Sequence, residues 1–551
     1  MGNRIAALGG TVLTQRRAAL RVWSAFALLM VLAAVPLFST VLPPLFDYPN
    51  HLARMHLLGE GGNQFYTVRW EPLPNLAQDL IVPPLARLMP LDIASKLFLV
   101  AIFGLITSGA IWLNRVATGE WTMWPLLAFL LLYNRTYLWG FLNYLFGIGI
   151  ALAGAALWLA LERERWWLRT VSASVVALPC YLSHIAAFGF YALVIIGIEL
   201  SPAWGELRAR RWPAVARRMG IVAAQFIVPT VLFFCYWHPV AAGAISYAAF
   251  WRKADLLFSV FDNYDRAFDI VCFVLFLGLI GWLAATRRLR LAPRLAGAVG
   301  FVFAAYLLLP TQIYGGSGAD HRLPVALFLL LIAATAAKFP NRHTAAAIGA
   351  AATVLLFTRM AVIEYVWLWA GRVYSADLAG VDLLPRGAKL AIAHPASAVN
   401  FVPIPEVHLA VLAAARREAF VPTLFAREGQ QPIALKPSYD TLAVAATPED
   451  LWAVIGAGRD TAKTAVLRTA LQQYDYVAVT GGKPLDTPPN PCLRPFFRQP
   501  TFEIFTVLHD IGCEAQKDEA RGTTGCGRAE ARTGCVASDA GQYPEGRAKS
   551  Q

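Results

Sequence analysis

Charge is what this chain has least of. Of its 551 residues only 15% are Asp, Glu, Lys or Arg, while 57% are hydrophobic and the mean hydropathy is +0.50. A soluble domain carries about a quarter charged residues, so an ordinary globular protein is excluded. Cysteine is scarce too, at seven. Cys180, Cys235 and Cys272 lie in or beside apolar runs and read as packing residues. Cys492, Cys513, Cys526 and Cys535 lack the spacing of a zinc site. In an oxidising compartment a Cys492–Cys513 disulfide is the expectation. The apolar runs do not alternate with period two, as a membrane barrel requires. No internal repeat of the kind that marks many transporters is visible. The first apolar run has no A-x-A-like end and reads as a retained anchor, not a cleaved leader.

What is present is a series of long apolar runs. A helix needs roughly 20 apolar residues to cross a bilayer, and in lipid its backbone must be satisfied internally. The runs at 19–42, 94–114, 121–133, 138–160, 167–182, 184–200, 216–236, 269–286, 295–310, 323–338 and 343–363 predict about eleven spans. The fold class is therefore an α-helical polytopic membrane protein. The net charge of +13 is explained by topology, without nucleic acid. Arg16, Arg17 and Arg21, Arg163 to Arg169, Arg208 to Arg218, and Arg287 to Arg294 mark alternate loops, and such loops face the cytoplasm. The remaining loops then lie outside: 43–93, 134–137, the break near Ser183, 237–268, 310–322 and the chain after 364.

Domain boundaries follow from composition. A transmembrane part covers 1–363, with a first extracytoplasmic loop at 43–93. Residues 364–512 are expected to form an extracytoplasmic α/β domain. In it LPRGAKLAIAHP reads as turn and strand, TPEDLWAVIG as a helix capped by Thr447, and YDYVAVTG and FEIFTVLHD as strands. The tail 513–551 is aperiodic and rich in Gly, Ala, Arg and Thr, a composition expected to stay disordered.

The candidate chemistry gathers in the outward loops. FDYPNHLAR, 46–54, places Asp47 where the first span ends. Asp47 suits a helix N-cap ahead of Pro49; equally, its carboxylate suits a general base towards a hydroxyl. His51 and Arg54, one and two turns on, face either water or a phosphate. GGSGADHRLP, 315–324, brings Asp320, His321 and Arg322 to a span end. There a guanidinium can snorkel, or hold a phosphate bidentately. His184 sits at a helix break in YLSH, and Asn143 lies inside the apolar run of WGFLNYLFGIG, where a helix-to-helix role is expected. FWRKADLLFSVFDNYDRAFD, 250–269, reads as an interfacial helix, with Asp262 and Asp265 as weak metal candidates.

This pattern resembles the GT-C superfamily of integral-membrane glycosyltransferases: an acid in the first outward loop near a His and an Arg, a polytopic body, and an outward C-terminal α/β domain. FDYPNHLAR is similar to the family's first-loop Asp motif, with Asp47 matching the acid. WGFLNYLFGIG and GADHRLP also look like segments of related bacterial proteins. The resemblance implies transfer of a sugar, hexosyl or pentosyl, from a polyprenyl-phosphate-linked donor to a glycan, lipid or protein acceptor, with inversion. It implies Asp47 as catalytic base, and His51, Arg54, His184, Asp320, His321 and Arg322 around the substrates. Many members carry two adjacent acids in that loop, whereas Tyr48 follows Asp47 here. A metal-independent reaction is therefore favoured over one with a divalent metal. The implied setting is the bacterial inner membrane, with a cytoplasmic N-terminus and the bilayer as partner. The alternatives are a multi-pass transporter or a non-catalytic protein of envelope glycan assembly. A transporter predicts mid-span charges, and here the charges sit at span ends.

Overall fold

The computed structural model describes residues 2–236, 245–313, 316–395, 406–426, 428–457, 467, 469–481 and 492–509. The chain opens with α1 (Gly2–Ser39), whose apolar stretch from Thr14 crosses the membrane. The first loop follows, with α2 (Tyr48–Glu60), β1 (Tyr66–Val68) and α3 (Ala77–Leu85). The bundle continues through α4 (Leu91–Thr118), a 3-10 helix Trp124–Leu131, α5 (Arg135–Leu138), α6 (Leu142–Ala160), α7 (Trp166–Ser183) and α8 (Ile185–Arg208). Next come α9 (Trp212–Ala224), α10 (Ile227–Tyr236), α11 (Trp251–Phe258), α12 (Arg266–Ala285), β2 (Leu289–Leu291), α13 (Pro293–Leu308), β3 (Gln312–Ile313), β4 (Gly316–Ser317), α14 (Ala319–Ala334) and β5 (Thr335–Ala337). The short β2 and β5 pair antiparallel at one end of the bundle.

All eleven expected spans fall on helices, but not all on full crossings. Among the described residues six helices are long and apolar enough to cross, or seven if α9 and α10, bent by 50°, form one span. The run 121–133 folds as a 3-10 helix. Such a helix rises about 2.0 Å per residue against 1.5 Å for an α-helix, so a short run reaches further. Its poorer hydrogen bonds are sheltered by burial of Ala128, Phe129, Leu130 and Leu131.

The helices approach closely because small residues meet. A Cβ on Gly149 would lie 2.5 Å from Leu105 Cβ, and one on Gly197 only 2.4 Å from Ala298 Cα, where α8 crosses α13. Lipid gives no hydrophobic reason for helices to associate, so this backbone proximity supplies the packing.

The long helix α15 (Arg342–Asp382) runs through the expected boundary at 363. Its 41 residues rise about 60 Å, twice the hydrocarbon thickness. The buried positions Ile363, Trp367, Ala370, Tyr374, Leu378 and Val381 recur at helical spacing, so one stripe packs inward along the second half of the helix. Beyond it come β6 (Leu390–Ala393), α16 (Glu406–Leu409), α17 (Ala413–Arg416), β7 (Ile433–Leu435), α18 (Asp440–Val444), α19 (Pro448–Ala457), β8 (Tyr476–Thr480), β9 (Leu493–Arg498) and β10 (Phe502–Val507). The sheet order is β6-β8-β10-β9, with β6 and β8 parallel and the other pairs antiparallel. Thr447 caps α19 as expected, accepting from Asp450 N at 3.1 Å. Cys492 is disulfide-bonded; Cys513, its expected partner, and the tail 513–551 lie outside the described residues.

The first loop and the α/β domain form one unit. β1 pairs antiparallel with β7, and the Tyr66 hydroxyl both donates to Val421 O and accepts from Val421 N, each at 2.9 Å. Gly197→Ala is expected to lower the melting temperature in detergent, since overpacking costs about 1–3 kcal/mol. Gly205→Ala, on the same helix with nothing near its Cβ position, is expected to leave it equal or higher.

Candidate functional site

The site is built where the first span hands over to α2. Phe46 N donates to Leu138 O at 2.8 Å and Asp47 N to Trp139 O at 3.3 Å. These bonds clasp the FDYPN turn against the WGF turn. Gly140 sits at φ +91°, and a Cβ there would lie 2.8 Å from Asp47 Cβ, so only glycine admits this approach.

Asp47 occupies the N-cap position of α2, yet its side chain makes no cap hydrogen bond. The carboxylate, 16% exposed, points instead to His408, whose Nε2 lies 3.7 Å from Oδ1. Burial pushes the Asp47 pKa up to about 7, against the lowering fields of Arg54 and Arg322. His51, one turn on, sets Nε2 3.0 Å from Gly140 O, so that nitrogen carries the proton. Burial, then Arg54, pushes its pKa down to about 3, so the ring is neutral and braces the clasp.

Arg54 is a correction to the expectation of a phosphate ligand. Its Nε and Nη2 donate to the two oxygens of Asp79 at 2.8 and 3.1 Å, and both side chains are 0% exposed. The guanidinium ties α2 to α3. Asp320 is likewise engaged: it accepts from Lys253 Nζ at 2.7 Å and from Thr311 at 2.9 Å, fastening α11 to the start of α14. His184 caps α8, its Nδ1 accepting from Ala186 N at 3.0 Å, and its ring lies edge-on to Tyr144 at 5.6 Å. Tyr144 in turn donates to Arg322 O at 2.7 Å. Arg322 donates from Nη1 to Gly318 O and lies over the Phe141 ring at 4.2 Å. The His321 ring is 6.1 Å from that of Trp139. The WGFLNY segment thus touches Asp47 on one side and His321, Arg322 and His184 on the other.

Asn143 is structural, donating to Asn75 and accepting from Gln78 N, so it joins α6 to α3 and to the turn that precedes it in the first loop, a helix-to-helix role as expected. Asp262 is paired with Arg135, and Asp265 caps α12 by accepting from Phe268 N. Among the described residues no group of three His, Cys, Asp or Glu side chains converges as a metal site. His408 was not visible in the sequence. It follows a stretch with no motif, and only the tertiary fold brings α16 onto Phe46.

The Arg-rich loops meet at the other ends of the same helices. Arg169 and Arg218 pair with Glu199, Arg218 also with Glu206, and Arg294 with Glu162. The helix α6 separates these two polar ends with 19 residues, about 28 Å.

No protein-family model and no curated protein matches the chain. Solved structures similar to it include two of ArnT. ArnT from Cupriavidus metallidurans bound to undecaprenyl phosphate has a TM-score of 0.51 at 11% identity, covering 89% of this chain and 98% of that one. The apo state of ArnT from the same organism has a TM-score of 0.45 at 13% identity, covering 92% and 99%. The first likeness carries the fold: this chain is a multi-pass membrane protein with a fold like that of the lipid-bound ArnT structure.

Removing one partner of a buried ion pair strands the other charge, at about 3–5 kcal/mol. Asp79→Asn is therefore expected to lower stability by that order in chemical denaturation.

Proposed function

We propose that this protein transfers a sugar from a polyprenyl-phosphate-linked donor to a hydroxyl of a glycan, lipid or protein acceptor. The observation that carries this reading is the Asp47 carboxylate, which stands at a helix N-terminus without capping it. It is held by a backbone clasp and has its pKa raised to about 7. A general base is most effective with a pKa near the working pH.

In the proposed reaction the acceptor oxygen attacks the anomeric carbon of the donor. Its proton passes to an Asp47 carboxylate oxygen. The bond from the anomeric carbon to the lipid phosphate breaks, and the phosphate departs with the electron pair, so the configuration inverts. Negative charge grows on that phosphate, and a fixed cation in a water-poor site stabilises it. Arg322 fills this role, oriented by Phe141 and Gly318, with His321 and His184 beside it. Arg54 has no direct part; with Asp79 it fixes the direction of α2. The undecaprenyl phosphate bound by the ArnT structure supports a lipid-phosphate partner. No metal enters the proposed steps. The Arg-rich helix ends face the cytoplasm of a bacterial inner membrane, so transfer occurs on the outer face, where the α/β domain binds acceptor.

Asn cannot serve as a base, and general-base catalysis contributes about 10²–10⁴-fold. Asp47→Asn is expected to lose transfer from polyprenyl-phosphate sugars by that factor with an unchanged melting temperature. Full activity in this variant rules out the base. Because the ionised carboxylate is the active form, kcat/KM of the wild type should rise as pH passes about 7 and level off above it. A rate that falls across the same interval contradicts the assignment.

A further inference from the structure

The α/β domain presents one imidazole to the acid. His408, on α16, packs edge-on against Phe46 at 4.6 Å and against Phe425 at 6.2 Å, which orient its ring. Phe425 is itself anchored, its N–H donating to Asn50 Oδ1 at 3.1 Å. Nε2 of His408 lies 3.7 Å from Asp47 Oδ1, while Nδ1 is buried with no hydrogen-bond partner among the described residues. Burial, then His394, pushes the ring's pKa down to about 4, so at neutral pH it is uncharged and carries a single N–H. The groups that act on the Asp47 carboxylate from the elements around it are Arg54 on α2, Arg322 on α14 and His408 on α16, while His51 on α2 meets Asp47 only through its backbone N–H. Arg54 is committed to Asp79 and His51 to Gly140 O. His408 has no such commitment.

We propose that His408 is a positioning residue for Asp47, its Nε2–H donating to Oδ1 of the ionised carboxylate, so that the α/β domain completes the transfer site. This rests on reading Asp47 as the base. The present separation exceeds a hydrogen bond of about 2.9 Å by roughly 0.8 Å, a closure of the kind that substrate binding brings to catalytic contacts. Among the described residues no protein group donates to or accepts from Nδ1, so the ring's polar contact is the one from Nε2 to the carboxylate. The bond holds one carboxylate oxygen and leaves the other directed at the acceptor hydroxyl. It also favours the ionised form and so sets the pH at which the base becomes available.

The test uses the full chain and pH profiles of transfer from a polyprenyl-phosphate sugar for wild type, Asp47→Asn, His408→Phe and His408→Gln. Phe keeps the aromatic packing and removes the N–H; Gln returns an amide N–H near the Nε2 position. His408→Phe is expected to lower kcat about tenfold with donor KM unchanged and to move the acid limb up by about one pH unit, a tenfold change in ionisation. His408→Gln is expected to restore most of the rate and the position of the limb. Wild-type profiles for both variants, beside an inactive Asp47→Asn, overturn the role of His408 and leave the base standing. Equal losses in both with an unmoved limb reduce His408 to packing and also overturn it. An active Asp47→Asn overturns the base and this inference with it.

Discussion

The candidate site depends on how closely two backbones approach. Gly140 brings its α-carbon against Asp47, and the Leu138 and Trp139 carbonyls hold the Phe46 and Asp47 amides. That clasp turns the chain sharply as it leaves the first span. It aims the carboxylate away from the α2 amides, which the same residue would cap if the turn were looser. His51 closes the clasp from the other side through Gly140 O. The same WGFLNY segment runs on to Phe141 and Tyr144, which orient Arg322. One short turn therefore sets the relation between an acid and a cation that belong to widely separated parts of the chain.

Around this turn the burden of stability is carried by buried ion pairs as well as by apolar packing. Arg54 with Asp79, Arg135 with Asp262, Lys253 with Asp320 and Arg359 with Asp269 each join two elements at the site's end of the bundle. Such pairs gain little net free energy over a hydrophobic contact, but a wrong register leaves charges stranded. Their effect here is to fix which elements meet. In a membrane, where apolar faces are interchangeable against lipid, that selectivity is otherwise hard to obtain.

Much of this was legible in the sequence, for identifiable reasons. Apolar length located the helices, and the Arg-rich loops separated the two ends, which is why Asp47, His184, His321 and Arg322 were expected on one face. Asp47 stood out because Pro49 and the end of an apolar run frame it. Arg54 was misread because its partner lies 25 residues on, across a loop with no periodicity. Asp320 looked free because Lys253 comes from another loop. Apolarity does not distinguish a 3-10 helix from an α-helix, so 121–133 gave no sign of its form. The boundary at 363 was read from a change in composition, whereas α15 continues to Asp382. The strands β6, β8 and β10 followed from alternation, but β1 pairs with β7 through a contact that no local pattern announces.

The joint between the first loop and the α/β domain bears on biogenesis. Asp47 and β1 are made well before His408 and β7, which follow their respective partners by more than 350 residues. Until those segments emerge, β1 has no strand beside it and the acid has no imidazole. A nascent or prematurely terminated chain can thus be fully inserted and still carry an unassembled site. Order of translation alone delays assembly of the site until the segments that carry His408 and β7 have emerged.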